Sequence, residues 1–180
     1  MKILKTVLLV IAVLVAIPLV VALFVKRDYG VERQVEINKP RQEVFEYVKY
    51  LKNQDNFSKW ATMDSNMKKT YTGTDGTPGF ISAWESNNPD VGAGEQEIIN
   101  ITDGERIDYE LRFLKPFETT EKAYMTTGAV NDSVTTVAWG FDGRMKYPMN
   151  LMMLFMDFDK MMGEDFETGL SKLKTILEEK

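Results

Sequence analysis

Arg106-Ile107-Asp108-Tyr109-Glu110-Leu111-Arg112-Phe113 places Ile107, Tyr109, Leu111 and Phe113 on one side of an extended chain and only charged residues on the other. A period of two sustained this long specifies a strand with one buried and one wet face, the usual condition of antiparallel sheet. On either side of it the pairs Asp75-Gly76, Pro78-Gly79, Asp103-Gly104, Asn131-Asp132 and Asp142-Gly143 punctuate the chain from Lys69 to Asp142. These are turn signals, and their spacing predicts an antiparallel meander. Thr135, Val137, Trp139 and Phe141 repeat the alternation near its end, and Phe80, Ser82 and Trp84 give the same spacing near its start.

Beyond the meander the period changes. Leu151, Leu154, Phe155, Phe158, Met162, Phe166, Leu170, Leu173 and Leu177 recur every three or four residues, which predicts one long amphipathic helix, with a break expected near Gly163. Before the meander, Val31, Val35 and Ile37 alternate with charges as in a half-buried strand. A helix is expected to follow at once, with Pro40 as its first residue and Val44, Phe45, Val48 and Leu51 as its apolar face. Asn53 to Trp60 reads as a short helical turn or loop.

From Val7 to Val25 the chain has 19 consecutive apolar residues, interrupted only by the ring of Pro18. As a helix this covers most of a bilayer core of roughly 30 Å. Lys2 and Lys5 on one side and Lys26 and Arg27 on the other give no clear excess of cations on either flank. The apolar run is long for a secretory signal and lacks a small-x-small cleavage pair, so residues 1–28 are expected to be an uncleaved, single-pass transmembrane anchor. The soluble domain, residues 29–180, is placed outside the cytoplasm. About 150 residues suffice for one core and not for two.

The order strand, short helices, meander and long terminal helix resembles the SRPBCC or START-like helix-grip superfamily, near its polyketide cyclase/dehydrase-like branch. The residues that carry the likeness are Ile37-Asn38-Lys39-Pro40, Phe57-Ser58-Lys59-Trp60, Gly79-Phe80-Ile81-Ser82-Ala83-Trp84, Thr136-Val137-Ala138-Trp139 and Gly163-Glu164-Asp165-Phe166-Glu167-Thr168-Gly169-Leu170. The resemblance implies an α+β fold in which a curved antiparallel sheet of six to seven strands wraps round the long C-terminal helix, preceded here by the transmembrane helix. A sheet curved that strongly leaves space over the helix unless large side chains fill it. On this reading Trp84, Tyr109, Phe113 and Trp139 line a ligand-binding cavity opposite Leu151, Phe155 and Phe158, and the partner is a hydrophobic small molecule or a lipid. The same residues would also make a solid core, since apolar pockets and apolar cores share one sequence signature. Six methionines, Met149, Met152, Met153, Met156, Met161 and Met162, crowd the start of the terminal helix. Core filling is their default role, with a pocket wall or a membrane-facing surface as the alternatives.

Composition narrows the chemistry. With no histidine and no cysteine, a histidine-based triad, a thiolate nucleophile and the common zinc sites are excluded. The formal net charge of -5 argues against a phosphate-tracking nucleic-acid binder. No cofactor and no metal are expected: Asp157, Asp159, Glu164 and Asp165 lack the spacing of a calcium loop. The preferred reading is non-catalytic binding beside the membrane. Two alternatives remain open: a cyclase- or dehydratase-like enzyme using Glu85, Tyr109 or Glu110 to move protons, and a protein-interaction module with a filled core.

Overall fold

The computed structural model describes residues 2–179. Helix α1 (Lys2–Ala22) leads to strand β1 (Asp28–Ile37), helix α2 (Arg41–Val48), a 3-10 turn (Leu51–Asn53) and two short helices, α3 (Gln54–Phe57) and α4 (Lys59–Thr62). The meander follows as β2 (Lys68–Thr72), β3 (Ile81–Glu85), β4 (Ala93–Thr102), β5 (Arg106–Lys115), β6 (Thr119–Asn131) and β7 (Val134–Arg144). A 3-10 segment (Met149–Leu154) and helix α5 (Phe158–Glu178) end the chain.

All neighbouring strands are antiparallel, in the order β1-β7-β6-β5-β4-β3-β2. β1 therefore pairs not with its sequence neighbour but with β7, from Asp28 opposite Arg144 to Ile37 opposite Thr135. Register shifts between Ala93 and Gly94, Ile98 and Asn100, and Ala129 and Asn131 are bulges, which bend the sheet. The alternation read from β5 and β7 holds: Ile107, Tyr109, Val137, Trp139 and Phe141 are buried. They meet the stripe Phe166, Leu170, Leu173 and Leu177 of α5, with Val44, Phe45 and Val48 of α2 completing the core.

Two helix starts differ from the sequence expectation. Pro40 is the residue before α2, extended at ψ 144, because its ring fixes φ but α2 begins only at Arg41. The terminal helix begins at Phe158 rather than running on from Leu151, because the Asp157 carboxylate accepts from the Lys160 N–H at 3.0 Å and caps a new helix there. Gly163 does not break α5. A Cβ at that position would stand 2.1 Å from Arg33 Nη2, so the missing side chain is what lets the guanidinium lie on the helix. The methionine run lies mostly off the core: Met149 and Met161 are exposed, Met152, Met153 and Met156 are partly buried, and Met162, also partly buried, packs against the core.

Arg33 clamps β1 to α5. Its Nε donates to Glu167 Oε1 at 2.8 Å, and its two terminal nitrogens donate to the Asp159 carboxylate at 3.0 and 2.9 Å. The hydrogen bonds from Arg33 hold the Asp159 carboxyl below its ordinary value of 3.8. Glu178 is held down likewise, chiefly by the Asn38 backbone N–H that donates to it at 2.7 Å. A depressed native pKa contributes stability that is fully present above the ordinary carboxylate range and is lost as pH falls through the lower native value. Urea midpoints should therefore fall between about pH 5 and about pH 2, and Asp159→Asn should shrink that fall while lowering the midpoint at neutral pH. An acid limb identical in the variant would show that the clamp is not coupled to folding.

At the other end, the domain holds the last turn of α1. Of the four carbonyls that a helix end leaves without partners, Val20 and Val21 accept from the N–H groups of Leu23 and Phe24 at 3.1 and 3.0 Å. Leu19 accepts from the Tyr147 hydroxyl at 3.2 Å, and Ala22 from Asn150 Nδ2 at 2.7 Å. Asn150 also donates to Val25 at 3.0 Å and is fully buried. Among the described residues, α1 is the one helix long and apolar enough to cross a membrane, with mean hydropathy 2.8.

Candidate functional site

Between the concave face of the sheet and the layer formed by α3, α4 and α5 lies a cavity of about 200 Å³. Each wall follows from a local pattern. β3, β5 and β7 contribute Trp84, Phe113 and Trp139 because alternation turns these side chains inward. α5 contributes Phe166 from its buried stripe and the partly buried Met162, and α3 and α4 lie across the remaining side with Gln54, Asp55 and Trp60.

All three tryptophans of the chain face this space. Trp139 stacks on Phe166 with centroids 4.8 Å apart, Trp60 stands edge-on to Phe166 at 5.7 Å, and Trp84 stands edge-on to Phe113 at 6.1 Å. Trp84 lies over β4 at Gly94, where a Cβ would stand 2.7 Å from the indole, and it donates from Nε1 to the Val91 carbonyl at 3.3 Å. Gly169 of α5 meets Trp139 in the same way, a Cβ there lying 2.9 Å from the ring. An ion pair between Lys59 and Asp165 fastens α4 to α5 beside the cavity.

The lining also has a polar side. Asp55 pairs with Lys69 at 2.8 Å and accepts from the Tyr71 hydroxyl at 2.5 Å. Burial, helped by that hydrogen bond, pushes the Tyr71 phenol far up, so it stays protonated and acts as a donor. Gln96 of β4 and Ser82 of β3 add neutral polar groups. The cavity can thus surround an apolar ring and hydrogen-bond a polar substituent on it.

Trp84, Phe113 and Trp139 are brought together at the cavity. Tyr109 lies deeper, 2 % exposed and away from the lining, and its hydroxyl meets no partner in hydrogen-bonding geometry among the described residues. Burial pushes that phenol well up, outweighing the opposite effect of the Gln54 amide. Leaving a buried hydroxyl unsatisfied costs about 1–3 kcal/mol. Tyr109→Phe should therefore leave stability unchanged or raise it by up to about 1 kcal/mol, read from the thermal midpoint. A clear loss would reveal a bond made by the hydroxyl.

Leu151, Phe155 and Phe158 stand off the cavity. Phe155 is 86 % exposed, and Phe158 packs on Tyr29 at 5.2 Å. The helix they were expected to share begins after Asp157, so its start cannot present all three to the sheet. Glu85 and Glu110 also lie outside the cavity, Glu85 paired with Lys115 at 3.1 Å and Glu110 with Arg112 at 2.6 Å. The sequence reading missed Trp60, Asp55 and Lys69. Their one local signal was an aromatic in a short helical stretch beside charged residues.

No family model and no curated protein matches the chain. Solved structures do. Truncated norcoclaurine synthase from Thalictrum flavum aligns over 85 % of this chain and 96 % of its own, with TM-score 0.65 and 8 % identity. The same enzyme solved in complex with dopamine and hydroxybenzaldehyde gives TM-score 0.60 at 10 % identity, over 85 % and 88 % of the two chains. The Aha1 dimer from Colwellia psychrerythraea gives 0.58 at 12 % identity, over 83 % and 96 %. With seven antiparallel strands curved over one C-terminal helix and these structural likenesses, the chain has the helix-grip fold, carried behind an apolar N-terminal helix.

Proposed function

We propose that this protein is a single-pass membrane-anchored helix-grip domain that takes up a small, mostly apolar guest in the cavity between sheet and α5, without covalent chemistry. The observation that carries the reading is the aromatic-walled cavity of about 200 Å³. Drug-sized sites run to roughly 300–1,000 Å³, whereas an apolar void of roughly 150 Å³ takes benzene. The volume thus favours one ring or a short stretch of acyl chain over a polycycle or a whole lipid. Norcoclaurine synthase, a structural neighbour, is solved with two single-ring aromatics, dopamine and hydroxybenzaldehyde. Asp55 and Lys69, with Ser82 and Gln96, supply the donors and acceptors that a ring substituent would use, while Tyr71 holds Asp55 in place from outside the lining.

Carriage is favoured over catalysis by the state of those polar groups. Lys69 and Asp55 neutralise one another, Tyr71 is held protonated, and no histidine is present to exchange protons near neutrality. The apolar run at residues 7–25 would hold the domain beside membrane-dissolved guests and raise their effective concentration. Purification of the full chain from its membrane, solvent extraction and mass spectrometry should recover a small aromatic or short-chain apolar compound. Titration with hydroxybenzaldehyde should quench tryptophan fluorescence saturably. Repeated recovery of empty protein together with no saturable quenching would refute the proposal.

A further inference from the structure

We infer that the segment from Tyr147 to Phe155 is a membrane-docking surface, which seats the domain on the lipid headgroups instead of leaving it to swing on a linker. This rests on reading α1 as a membrane span. Tyr147 and Asn150 bond to the last turn of α1, and the Met149–Leu154 segment packs against that helix, so the surface sits where α1 would leave the bilayer. At that level five apolar side chains are exposed: Leu23 is 60 % exposed, Phe24 85 %, Met149 50 %, Leu154 54 % and Phe155 86 %. Water is a poor solvent for such a patch, and continuity with a lipid-embedded helix names lipid as what covers it.

Charge agrees. The Met145 N–H donates to the Arg27 carbonyl at 2.8 Å, which brings Lys146 beside Lys26 and Arg27, a basic cluster at the height of lipid phosphates. The nearby carboxylates are already engaged: Asp28 with Arg144, Asp159 with Arg33, and Asp157 in the cap of α5. Tyr147, with Arg27 5.9 Å from its ring centroid, has the amphipathic character of an interfacial aromatic. The hydrogen bonds from Asn150 make the arrangement rigid, because releasing them would strand helix-end carbonyls in an apolar setting.

The chain contains no cysteine, so a single introduced one can be labelled uniquely. Nitroxide labels at Val15→Cys, Phe155→Cys and Asp132→Cys would be compared in vesicles of phosphatidylcholine with a minority of phosphatidylglycerol. The relaxing agents are oxygen, which partitions into lipid, and a nickel chelate, which stays in water. Asp132 lies in the β6–β7 turn, about 35 Å along β7 from the docking end, and serves as the water reference. The expected result is an oxygen-to-nickel ratio at position 155 several-fold above that at 132 and shifted towards that at 15. Lipid-like values at 15 with water-like values at 155 would overturn the docking surface and leave the anchor standing. Water-like values at 15 would remove the anchor and the docking surface together. A label at 155 shielded from both agents would assign the patch to a protein contact and reject lipid.

Discussion

Trp139→Ala is expected to cost about 3–5 kcal/mol of stability, the largest effect of any single truncation at the cavity. The indole is 5 % exposed, stacks on Phe166 at 4.8 Å and meets Phe57 edge-on at 5.7 Å. It is also where α5 rests on the sheet, since a Cβ at Gly169 would stand 2.9 Å from that ring. Truncation costs the transfer free energy of the ring plus a penalty for the void, and the void term is large where neighbours cannot close in. Here the new space opens into an existing cavity, so there is less to collapse onto. Urea unfolding of the full chain in micelles, followed by far-ultraviolet circular dichroism, gives the number. A loss under about 1 kcal/mol would mean that the ring is not wedged between β7 and α5. The enlarged cavity should also accept two-ring guests that the natural protein excludes.

The contrast between Trp139 and Tyr109 shows how far the sequence could be read. Both lie on strands whose alternation is plain, and burial of the inward face follows because a half-wet antiparallel strand can turn only one face to the core. Which buried residue borders the void is decided by sheet curvature, which depends on bulges such as that at Ile98 and Asn100 and leaves no local pattern. Trp60, Asp55 and Lys69 escaped for a related reason. α3 and α4, which carry Asp55 and Trp60, are too short to have a face of their own; the Lys59–Asp165 pair holds α4, the N–H groups of Leu51 and Lys52 tie the preceding 3-10 turn to the Asp75 carboxylate, and Lys69 of β2 joins the site only through its pair with Asp55. The overrun at Leu151 to Phe155 has the opposite cause. Apolar residues there do keep helical spacing, but they face α1 and the exterior, and only the capping carboxylate of Asp157 marked where α5 starts.

Ala123→Leu should weaken guest binding at least tenfold while leaving the fold intact. Ala123 sits on β6 between Tyr109 of β5 and Phe141 of β7, is 4 % exposed and lines the cavity. The larger side chain adds three carbons that point into the space a guest would occupy. Burying them is favourable by about 0.8 kcal/mol each, against an overpacking cost of about 1–3 kcal/mol where the fit is imperfect. Stability should therefore stay within about 1 kcal/mol of the natural protein. Hydroxybenzaldehyde affinity, measured by tryptophan quenching, should fall at least tenfold, or about 1.4 kcal/mol. The two readouts together separate the possibilities. Binding that survives in a stable variant would place the guest outside the cavity. A stability loss of about 3 kcal/mol or more would show that the space is closed by packing in solution, as a filled-core interaction module requires.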